Sequence, residues 1–240
     1  MWAQQSIRDS SIRFFLASVS YHGMFPQADL ARRFGYSSAV GGEVGYKMRS
    51  GVYLLLQGGG LIGDKITERG FLESLSLPSF RKVGQLAFMD EGGKIFSPAL
   101  RQRGWIGTIR IGYILRQLRL PKQNPNCGPY AEIGGGYLAH RVQIDKARSE
   151  RLPLFEGDYL KGLDRLTAGW GLMQSIGYRF FSNNGLVNFI VGIELAQYFT
   201  RSQRGYAYDL GTRDTARRRD FWWGFRIGWS LPLYEKAPIE

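Results

Sequence analysis

The chain has few residues of the types that perform catalysis or hold metal ions. Its only histidines, His22 and His140, have no cysteine or second histidine at a zinc-binding spacing and no obvious acidic or serine partner. The single cysteine, Cys127, lies in a Pro-Asn-Cys-Gly turn and cannot form an internal disulfide. No Gly-x-Ser-x-Gly or phosphate-loop motif occurs. The sequence therefore predicts no enzyme, no metal site and no cofactor.

The basic residues are a second group that could bind a ligand or a partner. The formal net charge is +12, and much of the excess falls in connecting segments. Such a charge on a soluble protein would indicate nucleic acid, but this distribution indicates either a solvated loop or contact with phosphates of outer-leaflet glycolipid or with an acidic partner. We predict no nucleic-acid binding. The densest group is Arg201, Arg204, Arg213, Arg217, Arg218 and Arg219.

An acidic segment, Phe155–Arg165, holds Glu156, Asp158 and Asp164. Calcium binding is one interpretation, although the spacing matches no known calcium loop. The other is an ordered loop held by salt bridges.

The elements that position these residues are predicted to be strands. Aromatic residues and glycine are abundant, with 15 Phe, 13 Tyr, 6 Trp and 32 Gly, and no apolar run is long enough for a membrane helix. Period-two alternation indicates an all-β chain of eight strands. They are Ile12–Gly23, Ala39–Met48, Val52–Gly63, Gly104–Leu115, Gly128–Ile144, Leu166–Phe181, Leu186–Arg201 and Asp220–Leu233.

The alternation separates a bulky apolar face from a small, polar one. In the last strand Phe221, Trp223 and Phe225 alternate with Gly224 and Arg226. An eight-stranded interior is too narrow for several bulky rows, so these rows should face outward into a membrane. A β-sandwich with core aromatics is the alternative. The predicted aromatic girdle comprises Tyr21, Trp105, Tyr113, Tyr137, Trp170, Tyr178, Trp223 and Trp229.

Charged residues recur on the inward face of six predicted strands. Because buried charges must be paired, they predict an ion-pair network that plugs the lumen, with a gated pore as the alternative. The predicted network comprises Glu43, Glu132, Glu194, Arg110, Arg179 and Arg226.

The lengths of the connections alternate along the chain. Arg49–Gly51 and Ser182–Gly185 are tight hairpin signals and Arg116–Cys127 is of medium length, whereas the other four connections are long. Outer-membrane barrels have short periplasmic turns and long external loops, which predicts extracellular loops and periplasmic termini. The longest connection, residues 64–103, should carry a short helix at Phe71–Leu77 or extend a hairpin. The remaining long connections are Phe25–Ser38, Asp145–Arg165 and Ser202–Arg219.

We interpret residues 1–240 as a single barrel domain. Met1–Ala3 resembles the end of a trimmed secretory signal, with an ordinary start methionine as the alternative, and Tyr234–Glu240 is expected to form a short periplasmic tail.

The last strand resembles the C-terminal assembly signal of outer-membrane proteins. Arg226, Gly228, Leu231 and Leu233 fill the polar, glycine and hydrophobic places of that signal, although a short tail replaces its terminal aromatic residue. The resemblance implies recognition by the barrel-assembly machinery.

The whole chain resembles small OmpA/OmpX-like outer-membrane barrels of Bacteroidota, chiefly in Phe25–Gly35 and Gly157–Gly162. Such relatives accompany larger machines for type IX secretion, gliding or barrel assembly. The resemblance implies an outer-membrane anchoring or scaffolding subunit with protein or lipoprotein partners as well as membrane lipid and glycolipid. A stand-alone barrel that binds glycolipid or a ligand, and an outer-membrane lipid-modifying enzyme, are the alternatives.

Overall fold

Eight long antiparallel strands close into an up-and-down barrel. The computed structural model describes residues 10–68, 70–81, 86–145, 152–183 and 187–233. Each strand pairs with its neighbours in sequence, and the first pairs with the last. The strands are β1 (Phe14–Gln27), β2 (Ser37–Lys47), β3 (Val52–Gly63), β4 (Ala99–Ile114), β5 (Gly128–Asp145), β6 (Thr167–Phe181), β7 (Asn188–Ser202) and β8 (Arg217–Leu233). The predicted all-β barrel is confirmed.

Period-two alternation produces this architecture because successive side chains of a strand point to opposite faces of the sheet. In β7 every second residue, from Asn188 to Thr200, is buried, and the residues between them are exposed. Strand β1 follows the same alternation, since Phe15, Val19 and Tyr21 are all exposed.

Several strands continue further toward the long connections than the sequence predicts. β4 begins at Ala99 rather than Gly104, and β8 begins at Arg217 rather than Asp220. The outward positions of these two extra segments include Arg101 and Arg219, and both residues lie in the backbone ladder opposite a neighbouring strand. Backbone pairing continues there although the apolar alternation has ended.

The connections alternate in length, as predicted from the sequence. Residues 48–51 form a tight turn in which Gly51 has a φ of +95° and donates its N–H to the Met48 carbonyl at 3.1 Å. At the same end of the barrel, Ser182 donates its N–H to the Val187 carbonyl at 3.1 Å, between the end of β6 and the start of β7. The long connections lie at the opposite end, and their described parts, within 28–36, 64–98, 146–166 and 203–216, are here named the loop crown.

The loop crown contains short elements only. They are α1 (Ala28–Arg33), α2 (Pro78–Arg81), α3 (Gly157–Leu163), the 3₁₀ turns Glu73–Leu75 and Pro153–Phe155, and a two-stranded ribbon of Phe88–Met89 and Ile95–Phe96. A third 3₁₀ turn, Arg116–Leu118, lies between β4 and β5.

The prediction of a helix at Phe71–Leu77 is wrong, because only the 3₁₀ turn Glu73–Leu75 forms there. Leu72 has a φ of +59°, which a right-handed helix does not allow, and Pro78 follows the segment. No helix in the described ranges is both long and apolar enough to span a bilayer. The segments interpreted as a signal remnant, Met1–Ala3, and as a tail, Tyr234–Glu240, lie outside the described residues.

The barrel interior has three layers. The loop-side cluster is apolar and joins Met24, Leu61 and Ile106 of the wall to Phe71 and Phe88 of the loop crown. The turn-side cluster is also apolar, and its members include Phe14, Leu55, Ile114, Tyr130 and Phe181. A charged layer lies between the two clusters.

Candidate functional site

The charged layer brings together all six residues of the predicted lumen network. Each is almost completely buried, and they alternate around the wall, with glutamates on β2, β5 and β7 and arginines on β4, β6 and β8. Three glutamates face three arginines, so the formal charges of these six side chains cancel. Such balance is required where water is excluded, because an unpaired buried charge costs several kcal/mol.

Glu132 is the hub of the network. It accepts hydrogen bonds from Arg179 at 2.8 Å, Arg226 at 2.8 Å and Arg110 at 3.3 Å, and from the Tyr53 hydroxyl at 2.8 Å. Arg226 also donates to Glu43. One carboxylate thereby ties together β3, β4, β5, β6 and β8.

Glu194 forms a second centre. It accepts a hydrogen bond from Arg110 Nη1 at 2.7 Å, and its other oxygen lies 2.6 Å from Nδ1 of His22. Gln57 Nε2 lies 2.7 Å from Nε2 of His22, and Gln57 accepts hydrogen bonds from Arg110 and from the Thr108 hydroxyl, the latter at 3.0 Å. Every strand of the barrel therefore contributes a polar side chain to the charged layer.

Both histidines have carboxylate partners, so the expectation that they lack any was wrong. His22 lies between Glu194 and the Ser20 hydroxyl, which is 2.9 Å from Nε2. His140 Nε2 lies 2.9 Å from Asp220, whose same oxygen accepts the Thr200 hydroxyl at 2.5 Å. The sequence hid the carboxylate contacts because Glu194 and Asp220 are distant in sequence from the histidines and lie on strands that are not adjacent to theirs in the sheet. Ser20, by contrast, is two residues from His22 on the same strand.

The Ser20–His22–Glu194 chain has the connectivity of a hydrolase triad. However, Ser20 is 2% exposed, His22 is 3% exposed and Glu194 is fully buried. The Ser20 hydroxyl also donates to Glu43 at 2.9 Å. A substrate has no approach to a hydroxyl buried and engaged in this way, so the arrangement belongs to the packing of the lumen. Within the described residues no cluster of three or more histidine, cysteine or acidic side chains could hold a metal ion.

The outer wall of the barrel is apolar. Exposed side chains include Val44 on β2, Leu56 on β3, Ile109 on β4, Ile176 on β6 and Val191 on β7. Ile109 and Ile176 are 60% and 63% exposed, which is unfavourable in water for aliphatic side chains in a continuous band.

The predicted girdle residues lie on this wall, all but Tyr21 in two groups. Trp105, Tyr137 and Trp170 form an aromatic row toward the loop crown, with ring centroids 5.5 Å and 5.0 Å apart. Trp223 extends this row on β8, where it stacks on Phe25 at 4.6 Å. The remaining girdle residues are exposed or half-buried on the same wall: Tyr21 below the row, and Tyr113, Tyr178 and Trp229 toward the tight turns.

The residues of the assembly signal follow the alternation of β8. Arg226 lies inside the charged layer, whereas Leu231 and Leu233 are exposed on the outer wall. Gly228 lies where an added Cβ would be 2.9 Å from the Val19 carbonyl of β1, so a small residue is needed at this close approach. The polar and glycine positions therefore face inward and the hydrophobic positions face outward.

The loop crown is held by a second set of ion pairs. Arg33, which is 4% exposed, donates to Glu68 at 3.2 Å and to the Thr167 hydroxyl at 2.7 Å. Burial lowers the pKa of Arg33 from its ordinary value, although the neighbouring Glu68 carboxylate opposes this shift. Arg165 donates to Glu68 and, at 2.5 Å, to Asp209. These contacts join all four long connections.

The acidic segment at Phe155–Arg165 is also ion-paired. Asp164 accepts hydrogen bonds from Arg204, at 2.8 Å from Nε, and lies 3.6 Å from Arg141. Asp158 accepts a hydrogen bond from Lys161 at 2.8 Å within α3. This geometry favours the salt-bridged loop over the calcium interpretation, because these carboxylates already have cationic partners.

No protein-family model and no curated protein matches this chain. The outer membrane protein OprG of Pseudomonas aeruginosa is similar at 12% identity and a TM-score of 0.46, over 94% of this chain and 99% of that one. The N-terminal β-barrel domain of OprF from the same organism is similar at 11% identity and a TM-score of 0.37, over 90% and 97%.

A third similar structure is Ail, the attachment invasion locus protein of Yersinia pestis, in complex with the heparin analogue sucrose octasulfate. It is 8% identical with a TM-score of 0.37, over 91% of this chain and 99% of that chain. The architecture of this protein rests on its own closed strand pairing.

Proposed function

We propose that this chain is a non-catalytic outer-membrane barrel that anchors or scaffolds a larger complex through its loop crown. The observation that carries the proposal is the plugged lumen. The charged layer links all eight strands, and apolar clusters close both ends of the interior. A barrel filled in this way offers a rigid wall and an ordered external surface rather than a pathway.

The apolar outer wall supports insertion into a membrane. Burying its aliphatic side chains in lipid removes apolar area from water, which is favourable by roughly 25 cal/mol for each Å² buried. A closed barrel also satisfies its backbone hydrogen bonds internally, as a lipid environment requires. The two groups of aromatic residues match the girdles of outer-membrane barrels, and the lengths of the connections support an extracellular loop crown with periplasmic turns and termini.

The order of the loop crown supports a scaffolding role. Phe34, Phe88 and Phe155 are buried in the loop-side cluster, and Arg33 and Arg165 cross-link separate connections through Glu68. A crown fixed in this way can present a constant surface to a partner without an ordering cost on binding. The proposed partner is a larger outer-membrane machine of the type IX secretion, gliding or barrel-assembly kind, or one of its lipoproteins.

Conductance tests the plugged lumen directly. The purified protein, refolded and inserted into planar bilayers, should give no steady ion-selective current. Arg110→Ala and Glu194→Ala, which open space in the charged layer, serve as comparison variants because they test whether a conducting state is detectable. Steady conductance of the unaltered protein would support the gated pore instead.

Co-purification tests the scaffolding role. The tagged protein, extracted from native outer membranes in mild detergent, should bring stoichiometric partners identified by mass spectrometry. Tyr159→Ser combined with Tyr206→Ser, two exposed positions of the loop crown, should release those partners. Leu118→Ser, an exposed position at the turn end, is the matched control and should retain them.

A stand-alone barrel that binds surface glycolipid is the second candidate. It is favoured by the arginines that the loop crown leaves exposed at the upper rim of the wall. Recovery of the protein without partners in the same extraction would support this candidate over the scaffold.

A further inference from the structure

Two arginines lie directly opposite each other where β7 and β8 leave the barrel wall. Arg201 and Arg217 are cross-strand partners in the ladder, and both side chains are exposed. Like charges at directly opposed positions repel and destabilise a sheet. The repulsion is relieved if an anion lies between the two guanidinium groups.

No carboxylate in the described ranges neutralises this pair. A second pair of opposed arginines, Arg103 and Arg141 on β4 and β5, provides a comparison, because Arg141 lies 3.6 Å from Asp164. Among the ion pairs of the described residues, none includes Arg201 or Arg217. The barrel thus compensates one opposed pair and leaves the other open.

A cleft of about 530 Å³ surrounds the open pair. Arg213, also exposed and without a carboxylate partner in the described ranges, contributes a third cation to its lining. The one acidic residue of the lining, Asp214, is engaged by Arg218. Burial would raise the pKa of Asp214, but the hydrogen bond from Arg218 holds this pKa below its ordinary value. The cleft is therefore cationic, and its carboxylate is occupied.

The height of the pair on the wall indicates what the anion is. Arg201 lies two residues beyond Phe199, which is 59% exposed, on the same face of β7. Phe199 is paired with Trp170, which is 71% exposed and belongs to the aromatic row. Two residues advance a strand by about 7 Å, which places the arginines just beyond the aromatic row, where the phosphates of a bilayer lie.

We infer that the Arg201–Arg217 cleft binds the phosphate group of a membrane lipid in the leaflet on the loop-crown side. The guanidinium groups of Arg201 and Arg217 donate hydrogen bonds to the phosphate oxygens, and Phe199 and Trp170 contact the acyl chains below. This inference rests on the proposed insertion of the outer wall into a membrane. It commits to a lipid phosphate rather than a free anion because the apolar contacts and the cationic cleft are continuous on one wall.

The test uses the full-length protein in phosphatidylcholine vesicles containing trace spin-labelled phosphatidic acid or spin-labelled phosphatidylcholine. Electron paramagnetic resonance measures the fraction of each label immobilised at the protein surface. The unaltered protein should select phosphatidic acid. Arg201→Gln combined with Arg217→Gln should reduce that selectivity by about fivefold for each arginine removed.

Three further variants and conditions sharpen the result. Arg49→Gln combined with Lys122→Gln removes the same charge from exposed positions at the turn end and should leave the selectivity of the loop-side leaflet unchanged. Arg201→Lys combined with Arg217→Lys keeps the charge and should retain part of the selectivity. Inorganic phosphate, added at constant ionic strength, tests for a soluble ligand and should not compete.

The outcomes separate this inference from the proposed function. Equal loss of selectivity in the two glutamine variants, or displacement of the lipid label by inorganic phosphate, would overturn the lipid site. Insertion is measured separately through quenching of tryptophan fluorescence by brominated lipid chains. Quenching without phosphatidic acid selectivity rejects the inference alone, whereas absence of quenching rejects membrane insertion itself. Heat-modifiable gel migration verifies that each variant is folded.

Discussion

At the scale of single residues, the glutamates and arginines of the charged layer neutralise each other's charges through ion pairs within the layer. Arg226 bridges Glu43 and Glu132, and Arg110 bridges Glu132 and Glu194. Because each carboxylate depends on particular arginines, the loss of one arginine leaves a charge in a water-excluded place. The cost of such a loss should greatly exceed that of an exposed pair.

Arg226→Met is expected to lower the free energy of unfolding by about 3–5 kcal/mol, the range for breaking a buried ion pair. Urea unfolding in lipid vesicles, followed by tryptophan fluorescence, measures the change. Arg101→Met is the matched control because Arg101 is 47% exposed, and its pair with Asp145 at 3.4 Å should contribute less than about 1 kcal/mol.

Adding Glu43→Gln to Arg226→Met should recover part of the lost stability, because the carboxylate that lost its partner is then removed. Equal destabilisation by Arg226→Met and Arg101→Met would contradict the role assigned to the charged layer.

The sequence predicts which six charged residues face the interior but not which side chains contact each other there. Alternation alone places Glu132 and Arg226 on the inward face. The contact of His22 with Glu194 joins β1 to β7, residues 172 positions apart on strands that do not pair with each other. Such contacts depend on the curvature and stagger of the closed barrel, which no local pattern encodes.

At the scale of elements, the strands are predicted well and the loop crown is not. Strand β3 has the predicted bounds, Val52–Gly63, although its apolar residues run together at Val52–Leu56 and three glycines interrupt the alternation. Helices α1 and α3 are short, and residues of both, Leu30 and Leu163, are buried in the loop-side cluster. Their stability comes from packing on distant segments, which propensity cannot reveal.

Glycines show how tightly neighbouring strands approach inside the barrel. An added Cβ at Gly224 would lie 1.8 Å from the Gly23 carbonyl oxygen on β1, whereas one at Gly58 would meet nothing within 4 Å. Gly224→Ala should therefore destabilise the barrel by about 1–3 kcal/mol or prevent closure. Gly58→Ala should be neutral or stabilising by up to about 1 kcal/mol, since alanine restricts the unfolded chain.

The two glycine variants are compared by urea unfolding and by heat-modifiable migration on gels. A destabilisation by Gly58→Ala as large as that by Gly224→Ala would contradict the different surroundings of the two positions.

At the scale of the whole molecule, the barrel is inverted relative to a soluble protein. Charges lie in the middle of the interior and aliphatic side chains cover the outside. The sequence predicts this inversion because bulky rows cannot fit within eight strands. It does not predict the capping of the charged layer by the two apolar clusters, because they combine residues from strands and connections.

Single-tryptophan variants should report the inversion. A variant retaining Trp170, which is 71% exposed, should be strongly quenched by lipids brominated along their acyl chains, and so should one retaining Trp229. A variant retaining Trp222, which is 2% exposed and faces inward, should be quenched little. Equal quenching of Trp170 and Trp222 in vesicles would mean that the outer wall does not face lipid.

The closing seam has a consequence for the order of assembly. Strand β8 pairs with β1 along Phe15–Gln27 and also delivers Arg226, the cation shared by Glu43 and Glu132. Until this strand arrives, three glutamates of the charged layer face two arginines, and the unfinished interior is one negative charge out of balance. We therefore expect the lumen to stay hydrated until β8 pairs with β1. Water then leaves the lumen in the same step that completes the barrel. A barrel that has not yet closed is therefore open and hydrated, and can be distinguished from a closed one.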